Sequence, residues 1–316
     1  MKFGKFISYL GKLAISGFAF FMGIVISGPV LKFLGTLVPA MPKGTDPAAL
    51  LPRGTDPATL GGYFLIASVF LALSLTWVAR GIQGGFLSRW LTLTLFTWVA
   101  YGVNTALEAS IFMTMAAASR EGAISNIAGS LISGLLMGAA VAFLFPSKEK
   151  GDGFTAGPGD FFRGRKVWGW AWRLLAAIAS FPIIYLFFGW LISPIILKYY
   201  AQNAYELTLP GMSTIIAMQF VRSPLFLLAS LPILAAWRES RRELVLSLGF
   251  ALFFLVGGVP LIVAYWFPPV IRITHSLEIL ADSLAYAWVL AALLGRSKNS
   301  GVPPVDMRPT PRHKAG

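Results

Sequence analysis

Cysteine is missing from this chain, and histidine occurs only twice, at His275 and His313. Without cysteine there are no disulfides, thiolate metal sites, thioesters or iron–sulfur clusters. One histidine lies among apolar residues and the other in the C-terminal tail, which excludes bis-histidine haem ligation. Charge is scarce: 12% of the residues are charged, about half of the roughly 25% found in soluble domains. Acidic residues are scarcest, 13 against 26 basic ones. No G-x-S-x-G, H-E-x-x-H, Walker or Rossmann pattern occurs. Gly151-Asp152-Gly153 and Gly157-Pro158-Gly159 look like pieces of a phosphate loop, but no strand precedes them and the Walker spacing is absent.

What is present is long apolar runs. Hydrophobic residues make up 56% of the 316, and the mean hydropathy is +0.72. A membrane span needs about 20 apolar residues. Eight segments qualify: 6–34, 61–79, 90–116, 124–145, 170–198, 213–236, 244–266 and 272–294. The expected fold is therefore all-α, a polytopic helical membrane protein. The first segment follows Lys2, Lys5 and Lys12 as a signal peptide would, but has no A-x-A-like cleavage site and is read as a retained span.

The net charge of +13 would fit nucleic acid if the cations formed a patch. They sit instead in loops and tails beside the apolar segments, so no nucleic-acid partner is expected. Nineteen of the 26 fall on one side of the alternating topology, in clusters such as Arg163-Gly164-Arg165-Lys166 and Arg241-Arg242. Six fall on the other side, and Arg222 lies inside a span. By the positive-inside rule both termini are cytoplasmic, in a plasma (inner) membrane, with anionic lipids the expected partners of the basic face.

Order within the sequence points to duplication. Ile26-Ser27-Gly28-Pro29-Val30-Leu31-Lys32 echoes Ile192-Ser193-Pro194-Ile195-Ile196-Leu197-Lys198. Phe64-Leu65-Ile66-Ala67-Ser68 echoes Phe226-Leu227-Leu228-Ala229-Ser230, and Arg89-x-Leu91-x-Leu93 echoes Arg242-x-Leu244-x-Leu246. The expected organisation is two parallel four-helix repeats, residues 1–145 and 169–295. A Gly-rich cytoplasmic linker over 146–168 joins them, and a basic, disordered tail over 296–316 comes last. Within the extracytoplasmic loop 35–60 a tandem repeat, Pro42-Lys43-Gly44-Thr45-Asp46-Pro47 and Pro52-Arg53-Gly54-Thr55-Asp56-Pro57, reads either as a lid or as a spacer whose second copy starts a span.

The last apolar segment carries Arg272, His275, Glu278, Asp282 and Tyr286 along one helical face. A charge at the bilayer centre costs about 2.5–3.5 kcal/mol on insertion scales, so this face must meet protein or water. Asn104, Glu108, Asn126, Gln219 and Arg222 fall at similar depth on three other segments. Together they predict a polar site in the outer half of the bundle, with Arg222 seeking a carboxylate among Glu108, Glu278 and Asp282. His275 and Glu278 have a spacing that can hold a metal, but a single imidazole makes a weak set, and neither metal nor cofactor is expected. A proton relay suits the pair better.

Three function classes remain open on the sequence alone. The first is a small-solute or proton-coupled transporter using Glu108, Arg222, His275, Glu278, Asp282, Asn104, Asn126 and Gln219. The second is a non-catalytic sensor or assembly protein whose ion pairs only brace the bundle. The third is an intramembrane enzyme using His275 and nearby carboxylates. Ser130-x-x-x-Gly134-x-x-x-Gly138 belongs to none of them and predicts close helix packing.

Overall fold

A computed structural model describes residues 3–34, 55–114, 120–147, 161–163 and 165–295. The first copy of the tandem repeat, most of the linker and the basic tail lie outside the described residues. Among those described there are helices and no strands. The helices are α1 (Phe3–Leu34), α2 (Pro57–Gly81), α3 (Phe86–Thr97), α4 (Asn104–Phe112), α5 (Arg120–Leu144), α6 (Val167–Ala201), α7 (Met212–Ala236), α8 (Arg241–Phe253), α9 (Val259–Val263) and α10 (Pro269–Leu293). A π-helical turn, Trp98–Val103, joins α3 to α4, and another, Phe254–Gly258, joins α8 to α9.

Seven of these stretches are long and apolar enough to cross a membrane: α1, α2, Gly122–Leu144 in α5, α6, α7, Arg241–Val263, and α10. The chain is thus an all-α, multi-pass membrane protein. The third of the eight expected spans is present as a continuous helical rod from Phe86 to Phe112, but it is not one of the seven. Arg89, four threonines between Thr92 and Thr105, Asn104 and Glu108 dilute its hydropathy.

Helix starts obey local chemistry. Asp56 accepts the Thr59 amide at 2.8 Å and Pro57 opens α2, so the second copy of the tandem repeat starts a helix. Ser240 and Glu243 form a reciprocal capping box on α8. Arginines close helix ends. Arg89 donates to the carbonyls of Ala79 at 2.9 Å, Ala142 at 3.0 Å and Phe145, where α2 and α5 run out of intrahelical donors. Arg165 does the same for Leu294 and Gly295 at the end of α10.

The helices pair alike in the two parts of the chain. α1 packs on α2 and α5, and α6 packs on α7 and α10; each π-interrupted rod packs on the helix after it. The two π turns also touch each other near the centre. At the basic end, Ile82 just after α2 bridges Trp237 just after α7, with Gln83 N–H donating to Ala236 and Arg238 N–H to Gly81. At the far end, Met113 bridges Leu207. The segment 203–207 there has left-handed residues at Asn203, Tyr205 and Glu206. Leu207, Ala264, Phe267 and Ile271 form a small apolar cluster beside it.

Candidate functional site

The expected polar residues converge between the π turns and the far end of the bundle. Arg222, on α7 two residues before Pro224, is 2% exposed and uses three different donors. Nε donates to Asn104 Oδ1 at 2.7 Å, Nη1 to Gln219 Oε1 at 2.8 Å, and Nη2 to Glu108 Oε1 at 2.7 Å. Its guanidinium also lies 5.4–5.5 Å from the ring centroids of Phe181, Tyr185 and Phe226. Asn104 is the first residue after a π turn and reaches Glu108 one turn on with its amide at 3.5 Å. The extra residue of the π turn rotates the helix beyond it, which directs both groups to one partner.

Glu108 is not closed in by this pair. It keeps 28% of its side-chain surface exposed against 2% for Arg222, and that surface lines two cavities. The first, about 30 Å³, lies between Glu108, Arg222, Asp282 and Tyr286 and is large enough for about two waters. Asp282 Oδ1 ends there with no hydrogen-bond partner. A second cavity of about 150 Å³ runs from Glu108 and Tyr185 to Tyr200, His275 and Glu278, under Leu207 and Phe267. A third of about 470 Å³ continues from Tyr185, Tyr200, His275 and Glu278 between α6 and α7. Tyr185 borders all three.

His275 and Glu278 sit one turn apart on α10, with Nδ1 2.7 Å from Glu278 Oε2. Nε2 lies 3.1 Å from the Tyr200 hydroxyl. A carboxylate on Nδ1 fixes the proton there, which leaves Nε2 to accept from Tyr200 while the imidazole is neutral. Glu108 lies within electrostatic reach of Glu278 and His275, and Asp282 of all three of Glu278, Glu108 and Arg222. Three carboxyls, one guanidinium and one imidazole thus border three neighbouring cavities that have Tyr185 as a common wall.

Two expectations differ from the arrangement seen. Arg272 shares the helical face but turns away, donating to the carbonyls of Leu261 at 2.9 Å and Ile262 at 3.4 Å at the end of α9. Asn126, on α5, is half-buried and borders none of the three cavities. Tyr185 and Tyr200 on α6 are site residues that helical phase and charge did not single out. Their signal is faint, since aromatics occur throughout the spans. No cluster of three or more metal-ligating side chains occurs among the described residues.

No family model, no curated protein and no solved structure matches this chain.

Proposed function

We propose that this protein is a proton-coupled permease for a small solute, with Glu108, Glu278 and Asp282 as the proton- and solute-exchanging groups and His275 at the mouth of the site. One observation carries the reading: the acids border three adjacent cavities that share lining residues, instead of closing on one another. A purely bracing cluster would pair every acid and leave no void, whereas Asp282 keeps an unpartnered oxygen. Ionisable groups inside membrane spans that face a cavity are the usual parts of proton pathways. The matching placement of π turns, helix pairings and the Ile82–Trp237 bridge supports an origin in two parallel repeats. In this reading the basic end is cytoplasmic and the site opens to the outside of a plasma membrane.

The experiment is proton flux into proteoliposomes holding a pH-sensitive dye, driven by an imposed membrane potential. Wild-type protein acidifies the lumen, and Glu278→Gln abolishes the signal with little change in thermal midpoint. Equal flux from both proteins, or from empty liposomes, contradicts the proposal. A second reading, an intramembrane acid–base enzyme, is favoured by the chain of bonds from Tyr200 through His275 to Glu278, which is how a general base is oriented. Under that reading proton flux is absent from the wild-type protein.

A further inference from the structure

The largest of the three cavities has two unlike ends. Its walls are Leu186, Gly189, Trp190 and Ile196 of α6 with Met212 and Ile215 of α7. Its inner end is His275, Glu278, Tyr185 and Tyr200. At about 470 Å³ it lies within the ~300–1,000 Å³ span of small-molecule sites. Trp190 and Met212 on its rim are 69% and 62% exposed. The apolar window of α6 is 17% buried, the lowest of the seven. Around a multi-pass bundle such exposed apolar surface is covered by lipid, so this side of the chamber faces the bilayer.

Charge decides what it admits. Among the described residues, Arg222 is the one lysine or arginine bordering any of the three cavities, and three of its donors are engaged by Glu108, Asn104 and Gln219. An anionic headgroup would therefore meet carboxyl groups with no cation left to receive it. A cation would meet Glu278, with Glu108 and Asp282 behind it and the rings of Tyr185, Tyr200 and Trp190 alongside. Carboxyls and aromatic faces in a dry site are the elements that bind organic ammonium groups. Gly189 keeps the passage open: a Cβ there would stand 3.4 Å from Glu278 Oε1, so the backbone of α6 approaches the carboxyl with no side chain between.

We infer that the chamber binds a lipophilic organic cation, an ammonium or phosphonium with aryl or alkyl arms, with its charge at Glu278 and its arms between α6 and α7. This rests on the permease reading only in calling the ligand a transported one. Protons and the cation compete for the same carboxyl. Glu278 is faced by His275 and Asp282 from its own helix, Glu108 from α4, and Tyr185 and Tyr200 from α6, with Arg222 of α7 beyond Glu108, so the competition belongs to that group as a whole.

The test uses the full chain in lipid nanodiscs and two probes of like shape and opposite charge, tetraphenylphosphonium and tetraphenylborate. The phosphonium is expected to bind saturably, at least about tenfold more tightly than the borate and less tightly as pH falls. Glu278→Gln, which removes the charge, and Gly189→Leu, which fills the passage, should each weaken it by about tenfold or more. Borate binding to the protein, in excess of that to protein-free nanodiscs and as tight as phosphonium binding, overturns the inference without any variant being needed. So does unchanged phosphonium affinity in folded Glu278→Gln. Phosphonium binding in a protein that moves no protons upholds the ligand class and removes the permease reading. Proton flux without phosphonium binding does the reverse.

Discussion

The two ends of the chain build similar helix pairs and fill them differently. Where α1, α3 and α5 meet, small residues bring backbones together. A Cβ on Gly23 would lie 2.4 Å from Ser133 Cα, and one on Gly102 would lie 1.7 Å from Ser130 Oγ. The indoles of Trp90 and Trp98 then reach across to the Leu135 and Ile127 carbonyls at 2.8 Å each. Where α6, α7 and α10 meet, the facing side chains are Phe181, Tyr185, Arg222, Glu278 and Asp282. Such side chains hold helices apart and leave the three cavities. Lipid tails give no hydrophobic drive to helix association, so packing quality decides whether an interface closes. One region is closely packed, and the other leaves space beside its polar side chains.

The largest effect expected is at Arg222. Arg222→Leu strands Glu108 and should cost about 3–5 kcal/mol, read as a fall in thermal midpoint. Adding Glu108→Leu should recover most of that stability while proton flux stays lost. Recovery of flux with stability would reduce the cluster to a brace and erase the contrast between the regions.

Next comes a matched pair of glycines. Gly102→Val places methyl groups where Ser130 already sits and should cost about 1–3 kcal/mol by overpacking. Gly189→Ala meets only an ordinary contact and should stay within about 0.5 kcal/mol of wild type. Equal costs at the two positions would mean that the second region is as tightly packed as the first.

The smallest effect lies outside the membrane. The Thr59 hydroxyl and amide hold the Asp56 carboxyl below its ordinary value of 3.8. A folded-state pKa below the unfolded one means that the cap stabilises above that value and is lost as pH falls through the folded value. The midpoint difference between wild type and Asp56→Ala should therefore be full at neutral pH, begin to fall near 3.8 and vanish only below the lower folded value. No difference at neutral pH would assign the helix start to Pro57 alone.

Much of this was legible from spacing. Apolar length defined the spans, and the cost of a lone charge in lipid marked Arg222 and demanded an acid for it. The small-residue face of α5 was equally plain, because Ser130, Gly134 and Gly138 recur every four residues. Which acid Arg222 takes was not legible, since that depends on how the π turn at Trp98–Val103 rotates Asn104 and Glu108. Arg272 was misplaced because helical phase shows the direction of Cβ but not where a long side chain goes. Unmet carbonyls at the end of α9 drew it away from its own stripe. Asn126 matched the site in depth but not in azimuth, and depth alone cannot separate the two.

The most direct test uses the absence of cysteine, which gives single-cysteine variants with no background. Ser193→Cys borders the large chamber, and Ser130→Cys lies at the closed interface of α5 with Gly102. Both are treated in proteoliposomes with a positively charged thiosulfonate and, separately, with a negatively charged one. The account predicts that Ser193→Cys reacts, faster with the cation and more slowly when tetraphenylphosphonium is present, while Ser130→Cys stays unmodified. Equal labelling at the two positions, or no preference for the cation at Ser193→Cys, would contradict a closed scaffold beside an open acidic site.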